Sequence, residues 1–233
     1  MNLFAISDLH LSFSSDKPMD IFKGWENYTE RLSANWKRLV KEEDTVVIAG
    51  DTSWSLKLDE TKADFEFLNN LPGKKILIKG NHDLWWSTSS KLSKFFDENK
   101  FGSIDFLFNS CVEFEDFAVC GTRGWLYDGT GEKDEKVVKR ECSRLETSIL
   151  SALKKDKEPL VFLHYPPVYG DYVCEEIFSV IEKYDIKALY YGHIHGSGYN
   201  NAVSEYKGVK MKLVSCDCVD FTPVFVRQYM KNA

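Results

Sequence analysis

The sequence predicts an α/β fold. Short apolar runs alternate with stretches whose apolar residues recur at helical spacing. A content of 43% hydrophobic and 14% aromatic residues supplies a core, and 28% charge is too little for a disordered chain. From residue 104 onward the alternation gives way to a meander of short strands. The 233 residues suit one domain, spanning 1–233, with no internal repeat and no linker rich enough to divide the chain.

Taken in order, residues 3–6 read as a buried strand, and 28–40 form a helix with Leu32, Trp36, Leu39 and Val40 on one face. Residues 45–49 are a second strand. Residues 56–71 carry Leu58, Phe65 and Leu68 at helical spacing and stop at Pro72-Gly73. A third strand covers 75–78. The meander follows, with strands at 104–108, 112–114 and 117–120, the last two joined as a hairpin across Glu115-Asp116. Residues 132–153 form a longer helix: Val137, Val138, Cys142, Leu145, Ile149 and Leu153 share a face, and Lys133, Asp134, Glu135, Lys136, Lys139 and Arg140 form a solvated one. Strands at 160–163 and 188–191 complete the α/β part. Residues 203–206, 209–214 and 224–229 make a further antiparallel group turning at Lys207-Gly208.

Charge and cysteines narrow the setting. With 30 Lys+Arg against 36 Asp+Glu the net charge is −6, so no global attraction to phosphate backbones is expected, and no Lys/Arg cluster stands near the motifs described next. Long nucleic acid is therefore an unexpected partner. No stretch approaches the roughly 18 uninterrupted apolar residues of a membrane span. With residues 3–6 already read as a strand no leader is expected, and the six cysteines show no C-x-x-C spacing. A cytoplasmic protein with reduced thiols is expected. Cys216 and Cys218 are expected to face one side of a strand as small core residues.

Each apolar run of the α/β part ends in a compact polar group. The groups are Ser7-Asp8-Leu9-His10, Gly50-Asp51, Gly80-Asn81-His82-Asp83, His164-Tyr165-Pro166 and Gly192-His193-Ile194-His195, and they hold all five histidines. Residues just after separate strands of an open α/β sheet can converge on one ligand. Asp, Asn and His without Cys are nitrogen and oxygen donors suited to manganese, iron or zinc. The three glycines permit sharp turns or close backbone approach.

These five ordered motifs, spanning residues 8–195, resemble the calcineurin-like metallophosphoesterase family. The resemblance implies a sandwich of two mixed β-sheets flanked by α-helices, with two divalent or trivalent metal ions (Mn, Fe or Zn) at one edge. It places one metal on Asp8, His10, Asp51 and His195, and the second on Asp51, Asn81, His164 and His193. It implies a hydrolase in which hydroxide bridging the two metals attacks a phosphate ester in line, on a mono- or diester of small or medium size, nucleotides included. His82 would assist the leaving group, with Asp83 orienting its ring and keeping it cationic. One departure is that Asp51 is followed by Thr52-Ser53-Trp54, where many members carry a further charged residue. The alternative is a non-catalytic scaffold reusing the fold, which is expected to have lost ligands.

The long segment between Asn81 and His164 is where substrate recognition is expected. Arg123, between glycines 121 and 124, can reach a phosphate in a bidentate way; the competing reading is an Arg paired with a carboxylate. Trp85-Trp86 reads as packing against the sheet in preference to stacking on a base. Residues 12–25 are expected to form a rim or lid.

Overall fold

The structure, a computed structural model, describes residues 1–125 and 132–229. In chain order the elements are β1 (Asn2–Ile6), α1 (Tyr28–Leu39), β2 (Thr45–Ile48), a 3₁₀ turn (Leu58–Thr61), α2 (Lys62–Asn69), β3 (Lys74–Leu77), α3 (Ser89–Glu98), β4 (Ile104–Phe106), β5 (Val112–Glu113), β6 (Phe117–Thr122) and α4 (Glu132–Leu153). Then come β7 (Glu158–Leu163), β8 (Val168–Tyr169), β9 (Tyr172–Val173), α5 (Glu175–Lys183), β10 (Ala188–Tyr191), a second 3₁₀ turn (Gly196–Asn201), β11 (Glu205–Tyr206), β12 (Val209–Leu213) and β13 (Val224–Gln228).

Two mixed sheets face each other. One runs β13-β1-β2-β3-β4, with β1 to β4 parallel and β13 antiparallel to β1. The other runs β11-β12-β10-β7-β6-β5, parallel from β12 to β6 with antiparallel edges. Because side chains alternate along a strand, Leu3 and Ala5 of β1 enter the core between the sheets with Val47, Phe117, Val119 and Phe162. Phe4 and Ile6 enter the outer layer beneath α1, α2 and α3 with Leu32, Trp36, Phe65 and Phe96. The far side of the second sheet is covered by α4 and α5 through Leu145, Ile149, Phe178 and Ile181. Helix, sheet, sheet and helix thus stack as four layers, and strands buried on both faces read as the uninterrupted apolar runs of the sequence.

Some elements depart from the sequence pattern. The C-terminal strands do not form one group: β12 joins β10 in parallel, while β13 crosses to the first sheet, since strand periodicity specifies a face and not a partner. Helices α3 and α5 were not expected, although Leu92, Phe95 and Phe96, and Ile177, Phe178 and Ile181, form their buried stripes. On α4 the buried face is turned from the expected one: Leu153 is exposed and Glu141 is fully buried. Glu135, Lys136, Lys139 and Arg140 are exposed as expected, and the side chains of Lys133 and Asp134 lie outside the described residues. Cys216 and Cys218 lie in a turn and not a strand; Cys216 is buried, its Sγ donating to the Asp8 carbonyl at 2.8 Å, while Cys218 is exposed. Among the described residues no helix is long and apolar enough to cross a membrane.

The two sheets meet at one edge. Past the end of β1, Ser7 bridges Ser215 beyond β12: Ser7 N donates to Val214 O at 2.9 Å and Cys216 N to Ser7 O at 3.0 Å. Since β1, β2, β3, β7 and β10 are parallel within their sheets, their C-terminal ends crowd around this seam.

Candidate active site

All seven expected metal ligands arrive at that seam. Asp8, Asp51 and His164 are at most 1% exposed, and His10 is 3% exposed. Ligand atoms of Asp8, His10 and His195, and of Asp8, Asp51 and His164, lie close enough to hold an ion. Asp51 Oδ2 sits between two imidazoles, 3.9 Å from His10 Nε2 and 3.5 Å from His164 Nε2. Asn81 Oδ1 lies 2.6 Å from His164 Nε2 and 2.9 Å from His193 Nδ1. His10 Nε2 and His195 Nε2 are 3.4 Å apart.

The backbone is bent hard to achieve this. Asp8, His10, Asp51 and His193 have φ of 60°, 46°, 51° and 74°, a left-handed region that costs non-glycine residues on the order of 1 kcal/mol each. Gly50, with φ of 98°, lies so close to His164 that any Cβ would strike its ring; at Gly80 a Cβ would strike the Asp51 carboxylate. These glycines are therefore requirements of close approach.

The donor set fits a cation. His164 Nδ1 faces the Ala49 carbonyl at 3.1 Å, an acceptor only, so Nδ1 carries the hydrogen and Nε2 presents a lone pair. That lone pair faces the oxygens of Asn81 and Asp51, acceptors both. Burial, opposed by Asp8, pushes the His164 pKa down to about 3, so a proton does not relieve the contact. Asp8 Oδ1 is buried without a hydrogen-bond partner, 3.3 Å from His195 Nε2, while Oδ2 is held by Ser7 Oγ, Ser215 Oγ at 2.9 Å and His193 N at 2.9 Å. Burial pushes the Asp51 pKa well up, reinforced by Asp83 and Asp8. Such a convergence of lone pairs and carboxylates is destabilising unless positive charge lies among them.

The profile of the calcineurin-like phosphoesterase family matches residues 1–197. The chain belongs to that family. It is thus a hydrolase acting on phosphoric esters, and members of this family depend on two metal ions. Two probable cyclic nucleotide phosphodiesterases are similar to this phosphoesterase. The one from Vesicomyosocius okutanii is 26% identical over 183 residues, 74% of this chain and 69% of its own length. The one from Ruthia magnifica is 24% identical over 183 residues, 74% and 68%. Among solved structures, a protein of unknown function from Aquifex aeolicus matches with a TM-score of 0.55 at 17% identity, covering 96% of this chain and 95% of that one. A phosphopantetheinyl hydrolase from Mycobacterium tuberculosis matches with a TM-score of 0.52 at 15% identity, covering 100% and 98%. The last two show the fold.

Around the seven expected ligands, the phosphoesterase places the remaining expected residues differently from one another. His82 lies beside them, half-buried, its ring centroid 4.3 Å from that of Trp54 and 5.7 Å from that of His10, and its backbone N–H donates to Asp51 Oδ1 at 2.7 Å. Asp83 does not face it. Both Asp83 oxygens accept main-chain N–H groups, from Asp51 at 2.9 Å, Thr52 at 2.8 Å, Ser53 at 3.3 Å and Gly80 at 2.7 Å, and Trp85 Nε1 at 3.0 Å. Its role as the partner of His82 is thus replaced by that of a buried staple joining the loops that carry Asp51 and Asn81. Burial lowers the His82 pKa, against the expectation that a carboxylate would raise it.

Trp85 is buried, edge-on to Phe65, as the packing reading has it; Trp86 is only partly buried. Residues 12–25 run beside the seam, with Phe13 and Phe22 exposed and Trp25 buried against the rings of His10 and His195. Arg123 is 3.9 Å from Glu141, too long for a tight pair, and its carbonyl accepts the N–H groups of His164 at 3.2 Å and Tyr165 at 2.8 Å.

Sequence reasoning missed Asp217, whose Oδ1 lies 2.8 Å from His195 Nδ1 and whose Oδ2 accepts Gly196 N at 3.1 Å and the Tyr199 hydroxyl. It follows β12 just as the ligand groups follow their strands, a signal that was available. Burial works against charge on His195, yet Asp217 and Asp8 raise its pKa to about 10. Sequence reasoning also missed a basic cluster near the motifs: Lys79, Arg123 and Arg144 line one cavity, contributed by distant segments.

Proposed function

We propose that the seven residues Asp8, His10, Asp51, Asn81, His164, His193 and His195 hold a pair of manganese, iron or zinc ions, and that the protein hydrolyses phosphomonoesters or phosphodiesters of small or medium size. The observation that carries this is the buried His164 Nε2 lone pair aimed between the oxygens of Asn81 and Asp51. When bound, the two cations supply Lewis-acid charge and lower the pKa of water. Asp51, whose Oδ2 lies between His10 and His164, would contribute to holding both. Asp217 fixes the His195 ring so that Nε2 points toward Asp8. Asp83 holds the 50–53 and 80–83 loops in register through its N–H acceptors.

His82 is the group assigned to the leaving oxygen, and with its pKa lowered by burial it is the N–H of the neutral ring that it offers there. Its ring is fixed by Trp54, it borders the ligands without being one of them, and it is reached by solvent. It gives a proton or hydrogen bond to the leaving oxygen. The similarity to probable cyclic nucleotide phosphodiesterases supports a diester, nucleotides included, among the substrates.

The test is a panel. Metal-stripped protein is resupplied with Mn²⁺, Fe²⁺, Zn²⁺ or Mg²⁺ and assayed on para-nitrophenyl phosphate, its bis ester and several nucleotides. Turnover restored by a transition metal is expected; equal turnover with EDTA present and metal withheld would overturn the proposal.

A further inference from the structure

Next to the metal edge, a cavity of about 380 Å³ lies over the C-terminal ends of β3 and β6 and against α4. Three cations line it, Lys79, Arg123 and Arg144, with one carboxylate, Glu141. Glu141 is fully buried and already satisfied: it accepts the Thr122 hydroxyl at 2.6 Å and Arg144 Nη1 at 2.8 Å, and Arg140 Nε lies 3.4 Å away from outside the cavity. The other two cations are less well matched, Arg123 Nη2 lying 3.9 Å from the same Glu141 carboxylate. Arg123 Nε is buried and has no hydrogen-bond partner among the described residues, while its guanidinium lies 4.8 Å from the centre of the Trp125 ring. Lys79 forms no ion pair among the described residues.

Clustered, partly buried like charges cost stability unless an anion joins them. Two guanidinium forks, an ammonium and the neighbouring hydroxyls of Ser87 and Thr88 offer more donors than a carboxylate can accept, and they suit a tetrahedral dianion. The cavity is also tied to the reaction site. Lys79 is two residues before Asn81, and the Arg123 carbonyl holds the main chain of His164.

We propose that this cavity receives a second phosphoryl group of the substrate, so that the compounds hydrolysed carry two phosphates, one cleaved at the metal edge and one seated between Lys79, Arg123 and Arg144. This rests on the hydrolytic reading above. A cyclic mononucleotide, with a single phosphate, leaves the cavity's charge unmatched.

Two measurements test it. Titration calorimetry of inorganic pyrophosphate into metal-stripped protein should show binding that Arg144→Gln and Lys79→Met each weaken about tenfold or more. With the metal-loaded enzyme, adenosine 3′,5′-bisphosphate should inhibit hydrolysis of para-nitrophenyl phosphate more strongly than adenosine 3′-monophosphate, and both variants should shrink that ratio. No pyrophosphate binding by the wild type, or binding that neither variant changes, overturns the proposal. Binding at the cavity with equal inhibition by the two nucleotides also overturns it, leaving a free anion as the occupant. Absence of all turnover with pyrophosphate binding intact instead contradicts the hydrolytic reading, and the phosphate site then stands.

Discussion

The metal edge and the cationic cavity lie side by side, yet they are built in opposite ways. At the edge each expected ligand follows a strand within a few residues, four of the seven on backbone in the left-handed region, with Asp83 and Asp217 bracing the loops. In the cavity two of the cations, Lys79 and Arg123, also stand just past strands, β3 and β6, and Arg144 comes from α4, but all three act through the ends of long side chains. The difference teaches where chemistry and selectivity reside. A rigid edge suits a reaction common to a whole family, and an adjoining set of long side chains can be altered one at a time without disturbing it.

Changes at the edge should therefore reduce turnover of every substrate, while changes in the cavity should act by substrate. The largest effect is expected from stripping the metals, or from Asp51→Asn, which takes one charge from the carboxylate between His10 and His164. Losing several kcal/mol of charge stabilisation corresponds to ~10³-fold or more in kcat/KM. The loss should be alike on para-nitrophenyl phosphate and its bis ester; a loss confined to one ester would break the contrast between the regions.

His82→Ala comes next. It should keep both metals, read by elemental analysis, and lower kcat roughly 10² to 10⁴-fold. The deficit should shrink with a leaving group acidic enough to depart unprotonated. A deficit of equal size across leaving groups would place His82 in positioning and not in proton transfer.

These two experiments also probe what was legible in the sequence. The convergence of the seven expected ligands could be read because parallel strands buried on both faces give continuous apolar runs, and the first polar residues after each run are forced to the same edge. Asp83 could not be assigned correctly. Its neighbour in sequence is His82, but the turn points its carboxylate into the main chain of residues 51–53. Glu141 was hidden for a similar reason: it sits in a run of charged residues on α4, and only the contact with Thr122 and Arg144 shows that it is inside. The crossing of β13 to β1 is a pairing over more than two hundred residues, which no local pattern encodes.

Asp217→Asn should have a smaller effect at the edge. An amide oxygen can still accept from His195 Nδ1, but the charge that raises the basicity of the ring is gone. Metal affinity, measured by competition with a chelator, should fall about 10 to 100-fold. Turnover at saturating metal should fall less than affinity does, and the reverse order would assign Asp217 a direct part in the chemistry.

The smallest expected effect belongs to the cavity and separates its charge from its shape. Glu141→Gln keeps the volume, and an amide can still accept from Arg144 through its oxygen while donating to the Thr122 hydroxyl. What disappears is the one negative charge opposing three cations. At separations of several ångströms in a solvent-reached cavity this is worth roughly 1 kcal/mol, so pyrophosphate should bind about fivefold more tightly, with a gain that fades as salt is added. If binding weakens instead, Glu141 serves mainly to hold the Arg144 fork in place, and the cavity depends on side-chain geometry as the metal edge depends on its backbone.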